Sequence, residues 1–346
     1  MGKKRVTSHD VAKLAGVSRS VVSAVLNDTP GIGVSAETRE NVLAAIRELN
    51  YHVDAQARSM KTGRSMSLAA FGDTRHPLFM RLLEGMQKEC EAHGYHILLC
   101  SPGHRPDGEA RDELVDLYHQ RKIDGIVTLD DTSYRDEAWA AKVNEAGVPY
   151  VSVEGYAEAE GVCSVLADYK GSVELALEYL LRPGTPQLLA PVYAEVYHNG
   201  IRSWAERTRR EAYSSWCSER GMSPFWFRLP ELDGRVDWEE WLLKLSEIGK
   251  PMPPLLVNWS SGIPDLYRAA HKLGLHIGEE LRVMAADNTI QGHRLSLPAL
   301  SCVEIPYVGM GEEAVSRVLS LIEAGTASAQ DEKVWLPAVL RAGESA

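Results

Sequence analysis

Apolar residues near the start of the chain recur at helical spacing in three short blocks. Val11, Leu14 and Ala15 mark one face of a first helix, with Thr7 as its N-cap and Asp10 in the first turn, where a carboxylate suits the helix dipole. Gly16 supplies the sharp stop that a residue without Cβ makes most easily. Ser18 caps a second helix on which Val22, Val25 and Leu26 point one way, while Arg19, Ser20, Ser23 and Ala24 lie roughly opposite. Ser35 caps a third that runs through Val42, Leu43, Ile46 and Leu49. Two such helices bury too little alone, and the third completes a unit whose second helix is suited to a DNA major groove. After it, residues 54–63 form a candidate helix of about two turns with too few apolar positions for a core, marginal in water unless a partner holds it.

From Ser67 the pattern changes. Strand-like runs at 67–71, 95–100, 125–129 and 149–153 alternate with helical segments at 79–92 and 111–120. The alternation continues with helix 171–182, strand 187–192, helix 204–220, strand 254–258, helix 264–273 and strand 281–286. Strands and helices in this order predict an α/β fold of parallel sheets covered on both faces, and the resumed alternation is most economically read as two doubly wound lobes, in a chain whose 346 residues suggest two or three domains.

Charge divides along the same line. Residues 1–64 carry a net charge of +4 and the remainder −15, within a total of −11. A basic amino-terminal module on an acidic body fits a nucleic-acid reader attached to something that avoids nucleic acid. No apolar run reaches membrane-spanning length and no signal-peptide core follows the basic start, so a cytoplasmic protein is expected. Five scattered cysteines, never in a Cys-x-x-Cys pair, read as a reduced and mostly buried set rather than a disulfide frame or zinc site. No metal or other cofactor is expected.

Four segments, Asp10-Val11-Ala12, Ala15-Gly16-Val17-Ser18, Val25-Leu26-Asn27 and Ala57-Arg58-Ser59, resemble the lac-repressor/galactose-repressor family of bacterial transcription regulators. The resemblance implies a helix-turn-helix domain at 1–52, a hinge helix and linker at 53–65, and an effector-binding and dimerisation domain at 66–346 of the periplasmic-binding-protein-like type. Its lobes are expected at about 66–163 with 291–325, and at about 164–290 with 326–341, with crossings near 163, 291 and 325. DNA contacts are then expected from Thr7, Ser18, Arg19, Ser20, Ser23, Ala24, Asn27, Ala57, Arg58 and Met60. Arg19 suits either a bidentate contact with guanine or a phosphate. Met60 stands where the family has Leu, as an apolar wedge for the minor groove. Helix 79–92 and the helix beginning near Gly309 are the expected dimer face.

The likeness extends into the lobes, through Leu82-Leu83-Glu84-Gly85-Met86, Asp124-Gly125-Ile126-Val127 and Leu297-Pro298-Ala299-Leu300-Ser301. It implies an effector, polyhydroxylated and sugar-like, held by Asp73, His76, Phe79, Arg209, Trp259, Ser260 and Asp287. The chain departs from the family at Asn258-Trp259-Ser260, where a carboxylate is lost; Trp259 could stack on a ligand ring or fill core. The resulting expectation is a homodimeric repressor that binds operator DNA under control of a small ligand. Two other readings stand beside it: a constitutive regulator whose cleft contacts protein, and a hydrolase carrying a DNA-binding module. For the last there is little support. Gly309-Met310-Gly311-Glu312-Glu313-Ala314 mimics a dinucleotide fingerprint in the wrong context, and no nucleophile elbow or metal-spaced histidines occur.

Overall fold

The computed structural model describes residues 6–27, 33–52, 63–182, 190–197, 202–232, 235–249, 252–325 and 332–346, and the chain divides into two compact units, 1–65 and 66–346. The expected hinge residues Ala57, Arg58 and Met60 lie outside the described residues.

The first unit holds helices α1 (Ser8–Ala15), α2 (Arg19–Asn27) and α3 (Ala36–Glu48). At the start of α1 the Asp10 carboxylate accepts from the Thr7 N–H at 2.8 Å and from its hydroxyl at 2.7 Å. Gly16 ends the helix at φ 68°, in the left-handed region open to glycine. Ser18 and Ser35 cap the next two helices, accepting from Val21 N–H at 3.4 Å and Thr38 N–H at 3.1 Å. Val11, Ala12, Val22, Val25, Val42 and Ala45 form the core. Two sequence assignments change. Leu14, expected inside, is 47% exposed, and Ala12 takes its place against α3. Ala24, expected on the DNA face, retains only 4% of its surface, because a lone methyl is covered where the longer side chains beside it extend outward.

The second unit contains two sheets. The first consists of β1 (Ser67–Phe71), β2 (His96–Cys100), β3 (Gly125–Leu129), β4 (Tyr150–Val153), β5 (Cys163–Ala167) and β12 (Lys333–Leu336), in the order β12-β5-β4-β3-β1-β2 and parallel throughout. Helices α4 (Pro77–Ala92), α5 (Asp107–His119), α6 (Glu137–Glu145) and α12 (Tyr307–Ala324) accompany it. The second sheet consists of β6 (Val192–Tyr197), β7 (Phe225–Leu232), β8 (Arg235–Val236), β9 (Leu255–Val257), β10 (Val283–Ala285), β11 (Ser301–Glu304) and β13 (Val339–Arg341). Its order is β13-β11-β10-β9-β6-β7-β8, antiparallel only at the two edges. Helices α7 (Tyr169–Leu180), α8 (Trp204–Glu219), α9 (Glu239–Ile248) and α10 (Ile263–Lys272) cover it, and a short α11 (Gly292–Leu295) precedes β11. The central strands β4, β5 and β9 are buried at every position, as parallel strands covered on both faces must be.

Strand pairing moves the lobe boundaries away from 163, 291 and 325. β5 lies beside β4, so the first crossing follows Ala167; β11 lies beside β10, so the second follows Glu304. β12 returns to the first sheet before β13 joins the second, which places the last crossing between Leu336 and Val339. The ranges 66–163 with 291–325 and 164–290 with 326–341 are corrected accordingly. Periodicity identifies a buried strand but carries no information about which distant strand it will pair with.

The helices expected as a dimer face are packed on each other within the first lobe. A Cβ on Gly85 of α4 would sit 1.8 Å from the Val308 carbonyl oxygen, and one on Gly311 of α12 would sit 2.2 Å from that of Leu82. Gly311 of the false dinucleotide fingerprint thus serves helix contact. Gly85→Ala should destabilise the unit by at least about 2 kcal/mol despite the better helix propensity of alanine, since backbone rather than a movable side chain blocks the methyl. Urea unfolding measures this, and a stability gain would show that the helices part freely.

Candidate functional site

On α2, Ser18, Arg19 and Ser20 are exposed and Ser23 half-buried; Thr7 is exposed beside the start of α1. The Ser18 and Ser20 hydroxyls lie 2.7 Å apart, so the pair presents one linked donor–acceptor group at the start of the helix that carries the exposed Arg19. Asn27 is the last residue of α2. These groups can hydrogen-bond to phosphates and base edges.

The second candidate site is a cleft of ≈ 880 Å³ between the two lobes. Its walls come from segments that follow strands: Asp73 and His76 after β1, Asp130 to Ser133 after β3, Glu154 after β4, Trp259 and Ser261 after β9, Asp287 and Thr289 after β10, and Tyr307 after β11. Tyr169 at the start of α7, and Arg202, Ser203 and Glu206 at the start of α8, complete it. Carboxyl ends of parallel strands are where open α/β sheets place ligands, because the loops there are free of ladder bonding.

Four of the seven expected effector residues line this cleft: Asp73, His76, Trp259 and Asp287. Asp73 is bound by the Arg75 side chain at 2.9 Å, which holds its carboxyl at about 2. Burial lowers the His76 imidazole below its usual range, favouring the neutral ring. Trp259 is half-buried and forms a wall; its ring lies 4.2 Å from the Arg209 guanidinium, and its Nε1 donates to Glu206 at 3.2 Å. Asp287 accepts from the Ser260 N–H, from the Ser260 hydroxyl at 3.2 Å, from Thr289 N–H at 2.9 Å and from the Thr289 hydroxyl.

Three expected residues do not reach the cavity. Phe79 is fully buried under Gly72, because the apolar stripe of α4 turns into the first-lobe core, and its neighbour Leu78 borders the cleft instead. Ser260 is buried and committed to Asp287, leaving Ser261 at the surface of the cleft. Arg209 lies behind the wall, fully buried, donating to the carbonyls of Asn258 and Ala286 at 2.8 Å each. It therefore organises the cleft without opening a fork into it.

The sequence reading missed Glu154, Tyr169, Tyr307, Arg202 and Glu206. Glu154 is the most unusual of these. It follows β4 with φ at 72°, is 1% exposed, and accepts from the hydroxyls of Tyr169 at 2.9 Å and Tyr307 at 3.1 Å. A left-handed conformation at a residue with a side chain costs about 1–3 kcal/mol and persists only where surroundings enforce it. Among the described residues its Oε2 has no hydrogen-bond partner, and burial pushes the carboxyl up to about 7. A signal was present: strands 125–129 and 149–153 were legible, and the residues just beyond them, Asp130, Asp131 and Glu154, were findable from strand polarity alone.

Across the cleft mouth, the Trp204 N–H donates to Ser133 Oγ at 2.7 Å and Arg207 pairs with Glu158 at 2.7 Å, bridging the lobes. The five cysteines are unpaired, four of them buried. Among the described residues, no helix is long and apolar enough to cross a membrane.

Comparison with known proteins agrees with this architecture along nearly the whole chain. Residues 7–54 match bacterial regulatory proteins of the lacI family, residues 68–221 match periplasmic binding proteins and the sugar binding domain of that family, and residues 193–346 match a periplasmic binding protein-like domain. The sucrose operon repressor of Pediococcus pentosaceus is 29% identical over 348 residues, covering 98% of each chain. The HTH-type transcriptional regulator KdgR of Bacillus subtilis (strain 168) is 26% identical over 358 residues, covering 98% of this chain and 99% of its own. A lac repressor dimer bound to operator and the anti-inducer ONPF shares the fold with a TM-score of 0.73 over 99% of both chains, at 21% identity. The chain belongs to the lacI family of bacterial regulatory proteins.

Proposed function

We propose that this protein is a homodimeric, sequence-specific DNA-binding transcription repressor whose operator affinity is set by a small polyhydroxylated ligand in the interlobe cleft. The observation that carries the reading is the cleft itself: ≈ 880 Å³, bordered by carboxylates, hydroxyls and aromatic rings contributed by both lobes. A ligand that bridges the lobes favours one lobe arrangement over another, and only such a difference in affinity shifts operator binding. The exposed face of α2 supplies the DNA contacts, and a dimer supplies two half-sites, since one three-helix module contacts too few base pairs for useful specificity. Met60 is the wedge of the hinge. No cofactor or catalytic step enters this function.

The test is a titration of duplex DNA, selected from a random pool by the protein itself, with and without ligand at fixed salt. A change of about tenfold or more in operator affinity is the expected result; an unchanged affinity with bound ligand removes the coupling. Arg19→Ala should relax preference at one base pair by about 1–3 kcal/mol if the guanidinium reads guanine. A uniform loss across all sequences instead would mark Arg19 as a phosphate contact.

A further inference from the structure

We propose that the ligand of the cleft carries a cationic nitrogen on its hydroxylated framework, and that Glu154 is the anchor for that nitrogen. The proposal rests on the cleft being the effector site, and three observations lead to it.

The first is the sign of the charge. Asp73, Asp130, Asp131, Glu154, Glu206 and Asp287 border the cavity, against Arg202 as the one arginine and no lysine among the described lining residues. Arg202 is turned to Glu195, to which it donates at 3.0 Å, and Arg209 behind the wall spends both terminal nitrogens on backbone carbonyls. Asp73 and Asp130 are matched by Arg75 and Arg111. Glu195 is itself shared by Arg202, Arg210 and Arg228, so the balance of charge is that of the lining alone, where carboxylates outnumber cations and a cationic group meets more partners than an anionic one.

The second is Glu154 Oε2, a buried carboxylate oxygen without a partner among the described residues, on a side chain that lines the cavity. Buried acceptors are nearly always satisfied, so an orphan at a ligand cavity is accounted for by a donor arriving with the ligand. The third is the company it keeps. Tyr169, Tyr307 and Trp259 border the same space, and aromatic faces attract ammonium groups through the ring quadrupole. Tyr169 and Tyr307 hold Glu154 through their hydroxyls, and the rings of Tyr169 and Trp259 already accept one cation, the Arg209 guanidinium at 4.7 and 4.2 Å, so this wall is one that tolerates positive charge.

The ionisation of Glu154 is set near neutrality by its burial, by the two tyrosine hydroxyls, by Arg209, which favours the carboxylate, and by Asp131, which opposes it. Binding is therefore best measured near pH 7, where a large share of the carboxyl is ionised and the amine of a 2-amino sugar is still mostly protonated.

Calorimetric titration of the full-length protein with glucosamine, galactosamine and mannosamine, each against its neutral parent sugar, and with glucuronate and glucose 6-phosphate, tests the proposal. At least one amine should bind about tenfold more tightly than its parent, and Glu154→Gln, checked for native circular dichroism, should reduce that preference to less than about threefold. Tighter binding of the anions, or an amine preference that survives Glu154→Gln, overturns the assignment. Equal binding of amines and parents also overturns it but leaves the effector reading intact. Silence from every probe overturns it as well, and the operator titration then judges the effector reading separately.

Discussion

Arg209→Ala should lower the stability of the 66–346 unit by roughly 3–4 kcal/mol, measured by urea unfolding near neutral pH. The side chain is fully buried and ties together the ends of two neighbouring strands: NH1 donates to the Asn258 carbonyl after β9 and NH2 to the Ala286 carbonyl after β10, both at 2.8 Å. Truncation leaves two buried carbonyls unsatisfied, at about 1–3 kcal/mol each, and opens a cavity beneath Trp259 and Tyr169, whose rings lie 4.2 and 4.7 Å from the guanidinium. Relief from burying a charge offsets part of the loss. Arg209→Lys should fall between, because a single ammonium cannot span both carbonyls with fork geometry. A cost below about 1 kcal/mol for the alanine variant would show that the strand ends hold without this clamp. Arg209 also favours the ionised form of Glu154, so its removal should push the Glu154 carboxyl further upward.

Glu154→Gln should be close to neutral for stability below about pH 4.5 and stabilising by about 3 kcal/mol near pH 8. The sign follows from where each state releases its proton. The unfolded carboxyl ionises near 4.5, whereas the folded one holds its proton until about 7 because burial disfavours the charge. Between these values the native state binds more protons than the unfolded state, so stability falls as pH rises and the loss is complete above the folded value. Glutamine cannot ionise and retains an oxygen for the Tyr169 and Tyr307 hydroxyls. Its amide can differ in packing, but that difference is the same at every pH, so the change across the pH range isolates the ionisation. Parallel stability–pH curves for the two proteins would show that the folded carboxyl titrates normally.

The amino-terminal unit was more legible than the cleft. In the first 52 residues nearly every contact is local: Asp10 reaches Thr7 three positions away, Gly16 turns in place, and Ser18 and Ser35 cap their own helices. Side-chain pattern and helix geometry are then almost the same information. Even so, Leu14 and Ala24 were misplaced, since a 100° step per residue assigns a face but not what will cover it. In the cleft, contacts join residues far apart in sequence. Glu154 meets Tyr307 across 153 positions, and behind the wall Arg209 meets Ala286 across 77. Family resemblance named positions in the right loops but not the side chains that turn inward: it chose Phe79 beside Leu78 and Ser260 beside Ser261, errors of one residue that reverse which way a side chain faces.

By itself the sequence determined the helix-turn-helix unit, the alternation of strands and helices, the two-lobed α/β class and the charge division between the modules. All of these rest on short-range periodicity, turn chemistry and composition. Only the tertiary structure decided which strands share a sheet, where the chain crosses between lobes, that Gly85 and Gly311 serve a helix contact, and that Glu154 stands buried with one oxygen unmatched at the cleft. Those outcomes depend on pairing and desolvation between distant segments, which a one-dimensional pattern does not encode.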